Sequence, residues 1–432
     1  MLYMPFRRSR SRRARLRNAF VFLFLAWNVV EVLHVRWCIR TSEAKASRVY
    51  ALSRTDKAGS RHHSHGHHRH EHSPTPKKRI YIASQLWNSA HLMHTAWNAE
   101  LLALIRDLGV ENVYLTILES GSYDDTKEVL TALDADLETL GVRRTVTMED
   151  ESHADLIAQP PGDEGWVTAR DGTPHMRRIP FLAKLRNRTL EPLRALWEEG
   201  ERFDLVLFLG DVVFTPQDVH TLLSTNSGTY AAACALDFSH PPLFYDSFAT
   251  RDASASPHLM QTWPYFRSAV SRAAIKRGEP VPVASCWNGL VVMPAAPFAT
   301  GDLGFRALPD KLAGAHLEAS ECCLVHGDNP LKGTAPVLMN PVVRVGYSMG
   351  AYEAVHDAGG GAWLSAYEIW VGLWANRVRR WVSWGFGSDS GRQMAVLGRL
   401  RREVGRTGVG EGVGWCVVDE MQVLESYGWR HV

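Results

Sequence analysis

From about Arg79 the chain alternates short apolar runs with longer stretches of helical spacing. Residues 80–83 read as a strand, 89–108 as a helix closed by Gly109, 113–118 as a strand, 124–140 as a helix closed by Gly141, and Arg143–Met148 as a third strand. Glycine just past a periodic stretch is the expected stop signal. A polar loop over 150–173 precedes a helix over 180–199. The run Leu205–Leu209 is wholly apolar and stops at Gly210-Asp211, after which Thr215-Pro216 opens another helical pattern. Such a run predicts a buried strand. Strands over 230–236 and 290–293 follow, separated by a long aromatic-rich insertion, 238–282. This repetition predicts an α/β fold with a mostly parallel, Rossmann-like sheet flanked by helices. The C-terminal segment, 362–432, holds a Trp-rich helical stretch over 362–382 and a basic one over 393–406. A membrane-surface face and a helical cap on the sheet compete for it; the cap is the expectation.

The N-terminus follows another pattern. Residues 1–19 hold seven Arg and no acid, and AFVFLFLAWNVVEVLHV follows. Positive charge ahead of an apolar stretch is the layout of a signal-anchor with its basic end in the cytosol. The tail is therefore 1–18 and the anchor 19–37, although Glu31 and His34 interrupt it. No small-x-small site follows for cleavage as a signal peptide; a buried core helix is the other alternative. Residues 38–78 are polar, with seven His in 61–72, and predict a disordered stem. The remainder, 79–432, divides into a nucleotide-binding half (79–236), an acceptor and metal half (237–361) and the cap (362–432).

Net charge over the 432 residues is +2, but outside the tail 41 basic residues face 46 acidic ones, a net of −5. Basic excess confined to a tail gives no nucleic-acid footprint. Six cysteines include Cys38 beside the anchor; a lumenal location allows the other five one or two disulfides, with Cys286 a plausible partner for Cys322 or Cys323. No zinc-ligand spacing occurs.

Asp211 ends a predicted strand, where α/β sheets place their ligands. A carboxylate there suits a hard cation bridging phosphate oxygens, though Asp also ends strands as an ordinary turn residue. Asn288-Gly289 precedes the next strand, where glycine permits close backbone approach to a ligand. Glu318, Glu321, His326 and Asp328 lie in HLEASECCLVHGD, and imidazole with carboxylates suits Mn²⁺. Ser84, Asn88, Glu119 and Ser122 end the first two strands, at positions for hydrogen bonds to a base and ribose; turn chemistry favours the same residue types. Dinucleotide, P-loop and serine-hydrolase signatures are absent.

The runs IASQLWNSAHLMHTAWNAELLALIRDLGVENVYLTILESGSYDDTKEVL, RRIPFLAKLRNRTLEPL, LFLGDVVFTPQDV, YDSFATRD, ASCWNGLVVM and EASECCLVHGD resemble the fungal capsule-associated, cryptococcal-type α-1,3-mannosyltransferase family, glycosyltransferase family 69, from about Arg79 to Tyr347. The closing WCVVDEMQVLESYGWRHV resembles its C-terminal signature. The resemblance implies a type II Golgi membrane enzyme with a lumenal GT-A-like fold. It further implies a GDP-mannose donor, a mannose-containing glycan acceptor, a divalent metal (Mn²⁺ or Mg²⁺) and retention of anomeric configuration. GT-A folds often carry Asp-x-Asp on the metal strand, whereas Gly210-Asp211-Val212 offers one acid. Asp211 and His326 are then the expected metal ligands. Lys184 or Arg186 would add positive charge at the leaving diphosphate. Glu321, Asp246 or Asp252 would face the oxocarbenium-like carbon; each competes with a surface or turn role. Another nucleotide-sugar donor, or a catalytically idle Golgi scaffold binding glycans, are the competing functions. Homo-oligomerisation stays open.

Overall fold

A computed structural model describes residues 9–59, 78–169, 172–356, 362–386, 388–407 and 414–432. Ten strands form one mixed sheet: β1 (Ile80–Leu86), β2 (Val113–Glu119), β3 (Arg143–Met148), β4 (Leu205–Leu209), β5 (Ala232–His240), β6 (Leu243–Phe244), β7 (Arg251–Asp252), β8 (Val281–Ser285), β9 (Leu290–Pro294) and β10 (Val337–Gly346). Their order is β3-β2-β1-β4-β9-β5-β10-β8-β7, with β6 on β5. The first four are parallel, as the strand–helix alternation predicts. β9 then runs antiparallel between β4 and β5, and β10 is parallel to β5.

β10 escapes sequence reading because Asn340-Pro341 interrupts its apolar run, and the ladder shifts register between Met339 and Arg344. Proline cannot donate to a ladder, so it is tolerated only where pairing lapses. The helix expected over 180–199 is two, Arg178–Arg188 and Glu191–Glu198. The loop expected over 150–173 contains a helix, His153–Ala158, whose Ser152 and Asp155 form a capping box.

Two apolar clusters, one on each face of the sheet, make the core. A 51-residue helix, Ser9–Gly59, carries the apolar N-terminal segment and continues well past residue 37. Its polar half is helical because the domain supports it: Glu43 pairs with Arg344 at 2.8 Å and Tyr50 bonds Asp107 at 3.3 Å. The His-rich stretch 61–72 lies outside the described residues. Two disulfides form, Cys234–Cys286 and Cys323–Cys416. Cys286 therefore pairs with Cys234 across the neighbouring strand rather than with Cys322 or Cys323, and Cys322 is a buried free thiol.

Candidate active site

The carboxyl ends of β1 and β4 open into a cleft of about 440 Å³. Two glycines shape its floor. β4 ends where antiparallel β9 begins, with Leu209 opposite Leu290, so Gly210 and Gly289 lie side by side. Gly210 N donates to Gly289 O at 2.8 Å. A Cβ on Gly210 would stand 2.9 Å from that oxygen, and Gly289 has φ +71° with its Cβ position 2.7 Å from Val212. Neither site admits a side chain without displacement. Asp211 follows directly and is open to the cleft. The surrounding walls nonetheless exclude enough water to push its carboxyl up to about 6, against the pull of its own backbone amide and of Arg186.

The helix Arg178–Arg188 supplies the facing wall. Arg178, Leu182 and Arg186, four residues apart, all line the cleft, as the helical repeat requires. Arg186 Nε lies 3.0 Å from Glu321 Oε1, and its guanidinium stands 4.6 Å over the Trp287 ring. Lys184, two positions from Arg186, projects elsewhere and lines a neighbouring cavity with Glu149 and Glu151. Arg178 stands 4.7 Å over Trp429. That residue belongs to a C-terminal hairpin, Gln422–Leu424 and Trp429–His431, which walls the cleft with Leu424 and Gly428.

The predicted residues thus separate. Ser84, Arg186, Asp211 and Gly289 line the cleft. Glu321, only 2% exposed, touches it through Arg186. Asn88, Glu119 and Ser122 instead hold one another: Ser122 Oγ accepts from Asn88 N at 2.8 Å, and Glu119 accepts from Ser122 N at 2.5 Å. These are turn contacts, and Ser120 lines the cleft in their stead. Asp252 accepts the amides of Ser254, Ser256 and Ser268 and is fully buried, so it locks the insertion. Beside it, Arg251 bonds the carbonyls of Trp415 and Cys416 and so anchors the C-terminal segment. His326 is buried behind the floor, with Nε2 2.6 Å from Cys286 O. It is not among the residues that line the cleft around Asp211, and burial pulls its ring down to about 4, so it is neutral.

Asp246 is tied to an acid the pattern hid. Asp237 Oδ1 accepts from Asp246 N at 3.1 Å and Oδ2 from Tyr347 Oη at 3.0 Å. Asp246 accepts from the amides of Phe248, Ala249 and Asn288. Asn288 closes the ring, its Nδ2 3.4 Å from Asp237 and its backbone at φ +58°. Burial raises the Asp237 carboxyl, and the charge of Asp246 raises it further. The signal existed: Asp237 directly follows the apolar run Tyr230–Leu236, inside β5.

Another part of the lining is rich in unpartnered polar atoms. Among the described residues, Ser84 Oγ, Gln85 Oε1, Trp87 Nε1 and both ring nitrogens of His153 are buried without a hydrogen-bond partner. His153 stacks on Trp87 at 4.5 Å, with Phe181 edge-on at 5.2 Å. Burial lowers its pKa to about 4, leaving a neutral ring with one donor and one acceptor. Buried polar groups are ordinarily satisfied, so this wall has the character of a ligand surface. No sequence signal marked His153, an isolated histidine in a polar segment.

The sheet, the cleft at its carboxyl edge and the cationic wall define a nucleotide-sugar-transferase-like α/β protein. The sequence profile of the family described as Cryptococcal mannosyltransferase 1 matches residues 79–328, and the chain belongs to that family. It is 27% identical over 285 residues to alpha-1,3-mannosyltransferase CMT1 of Cryptococcus neoformans, a match spanning 60% of this chain and 56% of that protein. Among solved structures, a mannosyltransferase from Pyrobaculum calidifontis in complex with GDP-Man and Mn²⁺ aligns over 76% of this chain and 70% of its own, with 12% identity and TM-score 0.34. GalNAc-T7 with UDP, GalNAc and Mn²⁺ aligns over 62% and 43%, with 11% identity and TM-score 0.36. Scores this low carry no conclusion about chemistry.

Proposed function

We propose that the protein is a membrane-anchored retaining mannosyltransferase of GT-A-like fold, moving mannose from GDP-mannose to a mannose-containing glycan in an α-1,3 linkage in the Golgi lumen. The observation that carries this reading is the cleft's division of labour. Asp211 and two arginines form one group of lining residues, and unsatisfied hydrogen-bonding atoms beside a Trp–His stack form another. The first set suits a diphosphate, the second a base and ribose.

Among the residues that line the cleft, Asp211 is the one carboxylate. One carboxylate fits a hard cation that keeps its waters and takes its other ligands from the donor phosphates. Asp211 would therefore hold Mn²⁺ or Mg²⁺, which would supply Lewis-acid stabilisation of the leaving diphosphate. Arg186, fixed by Glu321 and Trp287, would meet the same developing charge without having to reorganise. Arg178 would add a second cation. The ring of Asp237, Asp246, Asn288 and Tyr347 would shape the sugar end of the cleft. Two disulfides suit an oxidising lumen.

The test is transfer by the full chain to α-mannobiose, offered GDP-mannose or UDP-sugars, with Mn²⁺ or EDTA. Metal-dependent mannose transfer supports the reading. Turnover with a UDP-sugar alone would overturn the donor, and a folded protein that binds no nucleotide would be a scaffold.

A further inference from the structure

The C-terminal helix Ala366–Phe386 is apolar on two opposite sides. Ile369, Gly372, Leu373 and Asn376 form one stripe and are buried. That seat is tight: a Cβ on Gly372 would stand 2.0 Å from Trp263 O. At 100° per residue, Tyr367, Val371, Trp374, Val378, Trp381 and Val382 fall on the far side. Tyr367 is 72% exposed, Trp381 59% and Val382 49%. A soluble domain has no use for such a stripe in water.

The stripe borders the N-terminal apolar helix. Asn28 Oδ1 accepts from Trp370 Nε1 at 3.1 Å and Trp374 Nε1 at 2.6 Å. Arg377 stands 4.7 Å over the Trp27 ring and pairs with Glu31, which Lys276 also reaches at 2.8 Å. The acid that interrupts the apolar run is thus neutralised by the catalytic domain. Phe20, Phe22, Leu25, Val29, Val30 and Leu33 of the N-terminal helix remain exposed. Two packed helices therefore present neighbouring apolar surfaces.

We infer that helix Ala366–Phe386 turns its outer apolar stripe to the lipid of the membrane that holds the anchor, so that the catalytic domain rests against the bilayer. Three observations select lipid as the occupant. The stripe adjoins a helix with the length and composition to cross a bilayer. It is rich in Trp and Tyr, the residues of membrane interfaces. It also carries exposed Arg379 on its flank, as surface-lying helices do. The inference rests on the anchoring reading above.

The experiment places a nitroxide at Val371→Cys, Val378→Cys or Val382→Cys in the full chain in phosphatidylcholine nanodiscs, with Val29→Cys as anchor control and Lys311→Cys as water control. The two native free thiols are buried. Collision with oxygen and with a water-soluble nickel chelate is measured by electron paramagnetic resonance. The three helix sites should favour oxygen over nickel several-fold more than the label at Lys311, as the label at Val29 does. Helix labels behaving like Lys311 while Val29 stays in lipid would overturn the inference but spare the anchor. Labels shielded from both reagents would mean that protein covers the stripe, overturning it too. Water exposure at Val29 would remove the anchor, and with it the basis for the inference.

Discussion

Arg186 and Glu321 meet at 3.0 Å between Nε and Oε1, at the edge of the cleft that Asp211 floors. The pair joins the helix Arg178–Arg188 to the N-terminus of the helix Glu321–Asp328. Glu321→Ala should leave Arg186 cationic but mobile, lowering kcat/KM by about 10–100-fold, the usual loss when a supporting contact goes. Arg186→Lys should cost a similar amount, because lysine keeps the charge and loses the fork. Lys184→Ala should leave kcat/KM unchanged. Steady-state kinetics on the three variants checks all of this; equal losses at Lys184 and Arg186 would refute the assignment.

Asp211→Asn should reduce transfer by more than about 100-fold, the scale lost with one preorganised electrostatic group. Nucleotide binding should survive in part, because the Ser84–Trp87 wall is untouched. Calorimetry with GDP, with and without Mn²⁺, separates the two: metal should strengthen GDP binding to the wild type and not to the variant.

The Asp237 carboxyl is raised in the fold by burial and by Asp246. A raised acid contributes stability that is present below its unfolded value, near 3.9, and is lost as pH rises through its folded value, about 7. Asp237→Asn should therefore gain on the wild type between pH 5 and pH 8. The relative gain in Tm should be about 2–4 °C, the scale of ~1 kcal/mol in a domain of moderate size. A Tm difference that does not vary with pH would show that no shifted proton resides there.

The Cys234–Cys286 bridge closes a separation of 52 residues, worth about 4 kcal/mol by chain entropy. Cys286 adjoins Trp287, on which Arg186 stacks. Replacing both cysteines with Ala should lower Tm and also weaken transfer, since the Trp287–Gly289 turn loses its tie to β5. Replacing Cys322 with Ser should do neither beyond a small packing loss. Unfolding curves and kcat for the two variants distinguish these outcomes.

Much of the fold was legible because local rules and global packing agreed. A parallel strand buried on both faces has to be apolar throughout, so Leu205–Leu209 could be bounded to the residue. Gly210-Asp211 announced the end of a strand and the floor of a site, because backbone close approach demands glycine in any tertiary setting.

What the linear pattern left open depended on contacts between distant segments. Asn88, Ser122 and Ser84 are the same kinds of residue at the same kinds of strand end, yet only Ser84 faces the cleft. The turn over 119–126 engages the other two instead, Ser122 Oγ accepting from Asn88 N and Asn88 Oδ1 from Tyr123 N. His326 satisfied every compositional demand on a metal ligand, but the packing of its helix turns the ring onto the Cys286 carbonyl. Glu31 looked like a flaw in an anchor until Arg377 and Lys276, more than two hundred residues away, were brought against it. Sequence determines which chemistry is available and where each element stops, since both follow from residues a few positions apart. Only the tertiary structure decides which of those groups find partners within the protein and which remain for a ligand.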